Sequence, residues 1–378
     1  MFVDAEFVCF GKFIAYDINL SMQKPNLMND GRSNEVVGGG RHSCDFRDVI
    51  SVGNLFRAWK EFSRGKRSNK EVAIFELNLE ENLFDLHNLL LTKKWKPDPY
   101  RVLVVLDLKK RTIHAASVRD RVLYQAVYQK LYFIFDKTFI HDSYASRRLK
   151  GTHAGLERFK IFACKASMNY TQRIYVLKCD IRKFFDSINH KILISIIKRK
   201  INDKDFSILI EQVIESFSTK LETGLPLGNV TSQIFSNIYL NELDQFVKHV
   251  LKEKYYIRYC DDFVILHISK LHLEKCIIKI AKFLKENLKL ELHPKKVTIQ
   301  KIHNGIDFLG YVSLPHYKVI RTTTKRRLIR KIEQLAILAE RGIITKEYFR
   351  HVLASYYGML THCKGEKIQE QIGRIIDC

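Results

Sequence analysis

The sequence predicts an α+β fold organised around a split βαβ, ferredoxin-like sheet with helices on one face. Three observations carry that expectation. Strand-like and helical segments alternate through the middle of the chain in the order strand, helix, hairpin, helix, strand. The central hairpin places Asp261 and Asp262 side by side between β-forming runs, with Tyr256, Ile257 and Tyr259 before them and Phe263, Val264, Ile265 and Leu266 after. The first strand, "RIYVLKCDI" (173–181), runs toward a third acid, Asp180.

Composition bounds the function. The 378 residues are enough for two or three units sharing one sizeable core, and 46% hydrophobic content suits a folded chain. Lys plus Arg outnumber Asp plus Glu by 64 to 41, a net charge of +23, which points to a polyanionic partner: nucleic acid ahead of an anionic membrane surface. No apolar run approaches the ~20 residues that span a bilayer. The opening "MFVDAEF" lacks a basic region, so no signal peptide and a cytoplasmic location are expected. Eight cysteines, at 9, 44, 164, 179, 260, 276, 363 and 378, form no CxxC pair and no zinc-finger spacing with histidine, and are read as reduced thiols. There is no GxxxxGK[ST] phosphate loop, and "GGG" at 38–40 is a flexible stretch.

The elements follow in order. Residues 1–48 read as an appendage and loop. From 51 the pattern is helical, with Leu55, Trp59 and Phe62 at core spacing, and helix is expected to continue over 71–93 after a basic loop. Residues 100–117 read as strand, basic turn, strand. A helix over 118–136 presents Val122, Leu123, Ala126, Val127, Tyr128 and Leu131 near one face. After the strand ending in Asp180 come a helix at 187–201 and a long helix at 231–251. The long helix has Asn229 and Thr231 as capping candidates and Ile234, Ile238, Leu243, Phe246 and Val250 at core spacing. Beyond the acidic hairpin lie an amphipathic helix at 273–288, short strands to about 320, and a basic helical end.

In a ferredoxin-like sheet the first strand and the central hairpin are neighbours, so Asp180, Asp261 and Asp262 can converge. Each acid alone is an ordinary turn or surface residue. Three together in a strongly basic protein call for dications, and hard oxygen ligands suit Mg²⁺. The carbonyl of Ile181 is a further ligand candidate. Two ions ~4 Å apart activate a hydroxyl and stabilise departing pyrophosphate in an in-line displacement.

"YCDD" (259–262) resembles the YxDD box of reverse transcriptases, and "LKCDIRKFFDSINH" (177–190) resembles their motif carrying the first catalytic aspartate. "KKRTIHAASVRDRVLYQAVYQKLYFIFDKTF" (109–139) is similar to the fingers motifs, "GLPLGNVTSQIFSNIYLNELD" (224–244) to the template- and nucleotide-supporting motif, and "LELHPKK" and "DFLGY" to the lysine motif and primer grip. The resemblance covers most of 50–378 and implies a right-hand polymerase fold. Its expected parts are fingers with the start of the palm at 49–170, a palm at 171–315 and a helical thumb at 316–378. It implies an RNA-directed DNA polymerase using two Mg²⁺ ions, with Mn²⁺ able to substitute, and template RNA, the cDNA/RNA hybrid and dNTPs as partners.

Residue roles follow by the same resemblance. Phe185, five residues past Asp180, falls where the family places its steric gate against a ribose 2′-OH; a core phenylalanine is the rival reading. Lys110 and Arg111 match the triphosphate-holding residues, Arg for its bidentate fork, with Lys109 an alternative lysine. Lys296, or Lys295, matches the lysine facing pyrophosphate. Gly228 lets backbone approach the base pair. Phe308, Leu309, Gly310 and Tyr311 match the primer grip, and Arg326, Arg327 and Arg330 would face a duplex backbone.

Leu227 and Gln233 separate subfamilies. Many relatives, group II intron enzymes among them, have glutamine before the glycine and proline after the serine. The LGxxxSQ form here resembles the enzymes of diversity-generating retroelements, which copy a template RNA with errors at adenine alongside an accessory protein and a structured RNA. The alternatives are an antiphage defence enzyme using a non-coding RNA, and a catalytically idle RNA-binding scaffold on the same fold.

Overall fold

The computed structural model describes residues 45–106 and 110–376. The expectations for the N-terminal stretch up to 44, including "GGG", lie outside the described residues, as do the turn at 107–109 and the two C-terminal residues.

The N-terminal layer is helical. It comprises α1 (Phe46–Ile50), α2 (Val52–Ser63), α3 (Lys70–Leu77) and α4 (Leu79–Leu91), followed by the antiparallel hairpin β1 (Arg101–Leu106) and β2 (Lys110–Ala115) and the long α5 (Val118–Phe135). Leu55, Trp59 and Phe62 bury as their spacing predicts. The first helix starts at Phe46, ahead of the boundary expected after 48, and its Phe46 N–H donates to Asp203 Oδ2 at 2.8 Å. The helix expected through 71–93 is broken at Asn78, whose backbone (φ −120°, ψ 45°) leaves the helical region and separates α3 from α4. Asparagine competes for its own backbone and so favours such junctions. α5 is buried nearly all round, with Val122, Leu123, Ala126, Val127 and Leu131 each fully buried, so it is the central post of this layer rather than a surface helix.

The middle of the chain runs through α6 (Thr152–Ala166), β3 (Tyr175–Asp180), the short α7 (Phe184–Ser187), α8 (His190–Lys198), α9 (Lys204–Glu215) and α10 (Val230–Gln245). It continues through β4 (Tyr256–Tyr259), β5 (Asp262–His267), α11 (Lys270–Asn287) and β6 (Thr298–Lys301). These strands form one antiparallel sheet in the order β4-β5-β3-β6, the ferredoxin-like order the sequence predicts, with β3 between the hairpin and the last strand. Leu177, Cys179, Phe263 and Ile265 point to the face covered by α10 and α11, while Val176, Val264 and Leu266 point to the other.

That second face is not open. α6, which the sequence reading passed over, packs on it with Leu156, Phe159 and Phe162, joined by Ile306, Phe308 and Tyr311. Burial on both faces explains why β4 and β5 read as nearly unbroken apolar runs rather than as alternating strands. In the long helix, Asn229 occupies the N-cap position without a side-chain capping bond. α10 then gives way to a π-helical turn, Phe246–Val250. The wider turn rotates the face, so Val247 is buried and Val250, expected in the core, is 66% exposed.

A small sheet of β7 (Ile306–Phe308), β8 (Tyr311–Ser313) and β9 (Lys318–Ile320) leads into α12 (Thr322–Glu340), α13 (Lys346–Leu360) and α14 (Glu366–Ile376). The three helices enclose a separate core of Leu328, Ile332, Leu353, Tyr356, Leu360 and Ile372.

Candidate active site

The antiparallel register sets Asp180 directly opposite Asp262. Residues paired this way have Cα atoms about 4.5–5.5 Å apart and side chains on one face, so the two carboxylates share one end of the sheet. Asp261 belongs to the two-residue loop, Cys260–Asp261, that joins β4 to β5 across the Tyr259–Asp262 pair. Such loops need positive φ at the first position, and Cys260 supplies it at 53°. The acidic pair is therefore split by the bend: one acid sits in the turn, the other begins the strand. Asp180 and Asp262 are buried, and Asp261 is half-buried.

The chain beyond β3 is gripped by a later segment. His293 N–H donates to the Asp180 carbonyl at 2.7 Å, Arg182 N–H donates to the Glu291 carbonyl at 2.9 Å, and Ile181 bridges Leu292. This pairing carries Lys296 to Asp180, where its Nζ lies 2.8 Å from Oδ2. Of the two candidate lysines, Lys296 meets Asp180 and Lys295 is exposed. Carboxylate oxygens are hard donors of the kind that suit a divalent ion, and Asp180, Asp261 and Asp262 are the residues that would hold one. Burial, reinforced by the charge of Asp180, pushes the Cys179 thiol well above its ordinary range, and burial with Asp261 does the same at Cys260.

Phe185 is half-buried beside Phe184, their rings 5.2 Å apart. Lys183 takes left-handed backbone (φ 45°) just before α7, turning the chain so that Phe184 enters the core. Leu225 N–H donates to the Phe185 carbonyl at 2.9 Å, tying this turn to the loop that holds Leu227 and Gly228. β2 reaches the same loop: His114 N–H donates to the Leu227 carbonyl at 3.1 Å. Gly228 has φ 107°, and a Cβ there would lie 2.7 Å from Ile113 Cγ2, so glycine is required by backbone and space alike. Lys110 and Arg111 open β2; Arg111 is half-buried, and the Lys110 side chain lies outside the described residues. Gln233 is half-buried in the first turn of α10, its carbonyl accepting from Ser236 Oγ at 2.8 Å. Arg111, Phe185, Leu227 and Gly228 thus border one loop cluster.

Phe308 and Tyr311 close the β7–β8 hairpin and are buried, with Leu309 (φ 51°) and Gly310 (φ 87°) as its two-residue turn. Tyr311 Oη donates to the Met359 carbonyl at 3.1 Å, joining this hairpin to α13. Arg326 and Arg330 lie one turn apart on the exposed side of α12, whereas Arg327 is half-buried. The three arginines stand on the C-terminal helical unit.

Sequence reading missed the residues beneath the acidic hairpin. Arg258 is fully buried; its Nε lies 2.8 and 3.0 Å from the two Asp244 oxygens and its Nη2 2.6 Å from Oδ2. Nη1 donates to Asn237 Oδ1 and to the Cys260 carbonyl, each at 3.2 Å, and Tyr256 Oη donates to Asp244 at 2.7 Å. The network bolts β4 and the turn to α10. An arginine inside an apolar strand, two residues before the bend, was the available signal.

An antiparallel sheet bearing three acids at one end, bordered by a hairpin and a glycine loop, is the palm of a right-hand nucleic-acid polymerase. Residues 91–313 match the reverse transcriptase (RNA-dependent DNA polymerase) family. The chain belongs to that family of RNA-directed DNA polymerases. Protein YkfC of Escherichia coli K12 is 25% identical over 328 residues, spanning 76% of this chain and 81% of YkfC. The group II intron-encoded protein LtrA of Lactococcus lactis is 27% identical over 177 residues, 44% of this chain and 28% of LtrA, so the match spans under a third of that longer relative. A solved apo telomerase from Candida tropicalis, truncated from its C-terminal domain, aligns over 64% of this chain and 60% of its own with a TM-score of 0.46 and 14% identity. Among the described residues no helix is long and apolar enough to cross a membrane.

Proposed function

We propose that this chain copies template RNA into cDNA at Asp180, Asp261 and Asp262, with Mg²⁺ as the preferred dication and Mn²⁺ as a substitute. The observation that supports this reading is the pairing of Asp180 with Asp262 across β3 and β5, with Asp261 in the adjoining turn. When bound, the ions activate the primer hydroxyl and neutralise charge on the departing pyrophosphate. The chain's own residues hold and orient the reactants. The Ile181 carbonyl stands beside the acids as a further oxygen ligand. Lys296, already at Asp180, faces the phosphates as a proton donor and counter-charge. Phe185 borders the sugar and excludes a 2′-OH, Lys110 and Arg111 grip the triphosphate, and Gly228 and Gln233 support the nascent pair. The Leu309–Gly310 turn, backed by Phe308 and Tyr311, seats the primer end, and Arg326, Arg327 and Arg330 track the duplex backbone. In this reading the segments 49–170, 171–315 and 316–378 serve as fingers, palm and thumb.

Primer extension on an RNA template tests it. The wild type should extend with dNTPs, and Asp261→Asn should lose at least ~100-fold in rate with its thermal unfolding unchanged, since neither charge neutralisation nor positioning survives. Retained RNA binding with no extension by the wild type would instead support the idle scaffold.

The finer role is error-prone copying at adenines in a diversity-generating retroelement, with a structured RNA and an accessory protein as partners; a defence enzyme using a non-coding RNA is the alternative. Leu227 supports the first. It is half-buried in the loop tied to β2, and its side chain donates no hydrogen bond where glutamine would. Leu227→Gln should lower misincorporation opposite template adenine; an unchanged error spectrum would refute the assignment.

A further inference from the structure

At the end of β5 remote from the aspartates, three side chains of different chemistry converge. Glu253 lies between the π-helical turn and β4, and His272 and Cys276 stand one helical turn apart on α11. Glu253 Oε1 is 2.6 Å from His272 Nε2 and 3.4 Å from Cys276 Sγ, and Sγ is 3.5 Å from Nε2. A tetrahedral zinc ion with ordinary bond lengths has S–N and S–O edges of about 3.6 Å and an N–O edge of about 3.4 Å. The two edges to sulfur are thus already in place. The third is contracted to a hydrogen bond and needs only a small side-chain adjustment to admit an ion.

Burial sharpens the case. Glu253 is 4% exposed and Cys276 3%, while His272 opens to solvent and gives an entry path. A buried carboxylate is costly unless it is paired or hydrogen-bonded, and His272 is its partner here at 2.6 Å. Lys248 donates to the main-chain carbonyls of Glu253 and Lys254, at 2.9 and 3.1 Å, and the charge of Lys279 acts on the Cys276 thiol. His267 stacks on His272 with centroids 4.1 Å apart, and its Nδ1 accepts from Ser269 N–H at 3.0 Å, so this ring walls one side of the cluster. Among the described residues, His272 and Cys276 are the side chains bonded to the carboxylate.

We propose that Glu253, His272 and Cys276 bind one Zn²⁺ ion, with water in the fourth position. The sulfur and imidazole donors favour zinc over the magnesium suited to the aspartates. β5 separates the two centres by five residue steps, about 17 Å, so the sites are independent. The ion would clamp α11 to the lead-in of β4 and so brace the root of the acidic hairpin.

The test uses the full-length, tag-free chain stripped of metal. Competition with a chromophoric zinc chelator should show one tight equivalent, and Zn²⁺ should raise the thermal midpoint. Cobalt substitution should produce a sulfur-to-metal charge-transfer band. Cys276→Ser and His272→Ala should each weaken zinc at least ~10-fold and remove the thermal shift, and Cys276→Ser should abolish the band. The absence of band and thermal shift in the wild type would overturn the assignment, a reading that needs no variant to fold. Zinc affinity unchanged in both variants would also overturn it by placing the ion on other thiols, such as the half-buried Cys164 or Cys363.

Discussion

Replacing Arg258 with methionine tests what holds the acidic hairpin in position. Arg258 and Asp244 are both 0% exposed, so the substitution strands a buried carboxylate whose remaining described donor is Tyr256 Oη at 2.7 Å. Removing one partner of such a pair costs about 3–5 kcal/mol, and the unsupported carbonyl of Cys260 adds roughly 1 kcal/mol. A protein typically holds only about 5–15 kcal/mol of stability, so Arg258→Met should be folded but gravely weakened. Urea unfolding followed by far-ultraviolet circular dichroism measures the loss. Arg258→Met/Asp244→Leu removes both charges and should recover roughly half of it, a coupling of about 2–3 kcal/mol. Primer extension should stay depressed even in that double variant, because the Arg258 bond to the Cys260 carbonyl, next to Asp261, is gone. A cost below about 1 kcal/mol for the single change, or simple additivity in the double, would show that the buried pair is not what sets the hairpin.

Phe185→Val should raise incorporation of ribonucleotides relative to deoxynucleotides by at least ~10-fold, read as a ratio of kcat/KM values; an unchanged ratio would return Phe185 to a purely packing role. Acid should loosen the junction between α6 and the segment after α13, where the His153 and His362 rings stack at 3.6 Å. Burial, then the neighbouring His362, lowers the His153 pKa from 6.5 to about 4. The unfolded chain takes its proton as pH falls below the ordinary value and the folded chain does not, so the stability is fully present above about pH 6.5 and drains away toward pH 4. The ring is only half-buried, which limits the loss to about 1–2 kcal/mol. His153→Phe should flatten that part of the pH–stability curve measured by urea unfolding, and an unaltered slope would refute the assignment.

The sheet was legible because its strands are apolar runs with acids at their ends, and the three acids together form a pattern that no single one carries. Asp180, Asp262 and the hairpin could be placed from Tyr256–Leu266 and 173–181 alone, since ferredoxin-like connectivity makes β3 and β5 neighbours. What stayed hidden depended on contacts between distant segments. α6 went unread although Leu156, Phe159 and Phe162 recur at helical intervals. Val250 was misplaced because a π-helical turn changes the period within a helix, which a fixed 3.6-residue template cannot register. Lys296 and Lys295 were indistinguishable until the pairing of 291–293 with 180–182 brought one of them to Asp180.

Arg258 shows why the deepest part of the site resists sequence reading. In β4 it looks like a defect: a guanidinium within four residues that are all buried. Its function becomes visible only with Asp244, fourteen residues earlier on α10, and with the Cys260 carbonyl two residues later. A left-handed residue other than glycine costs free energy at the turn, and the surrounding bonds must outweigh that cost. The buried pair offsets it while fixing the direction in which Asp261 leaves the strand. The same placement could not be obtained from apolar packing alone, because a methyl or ring offers no directional bond to a carbonyl oxygen. A charge buried beneath the acidic turn is therefore a positioning device, and its energetic cost explains why it must be fully paired.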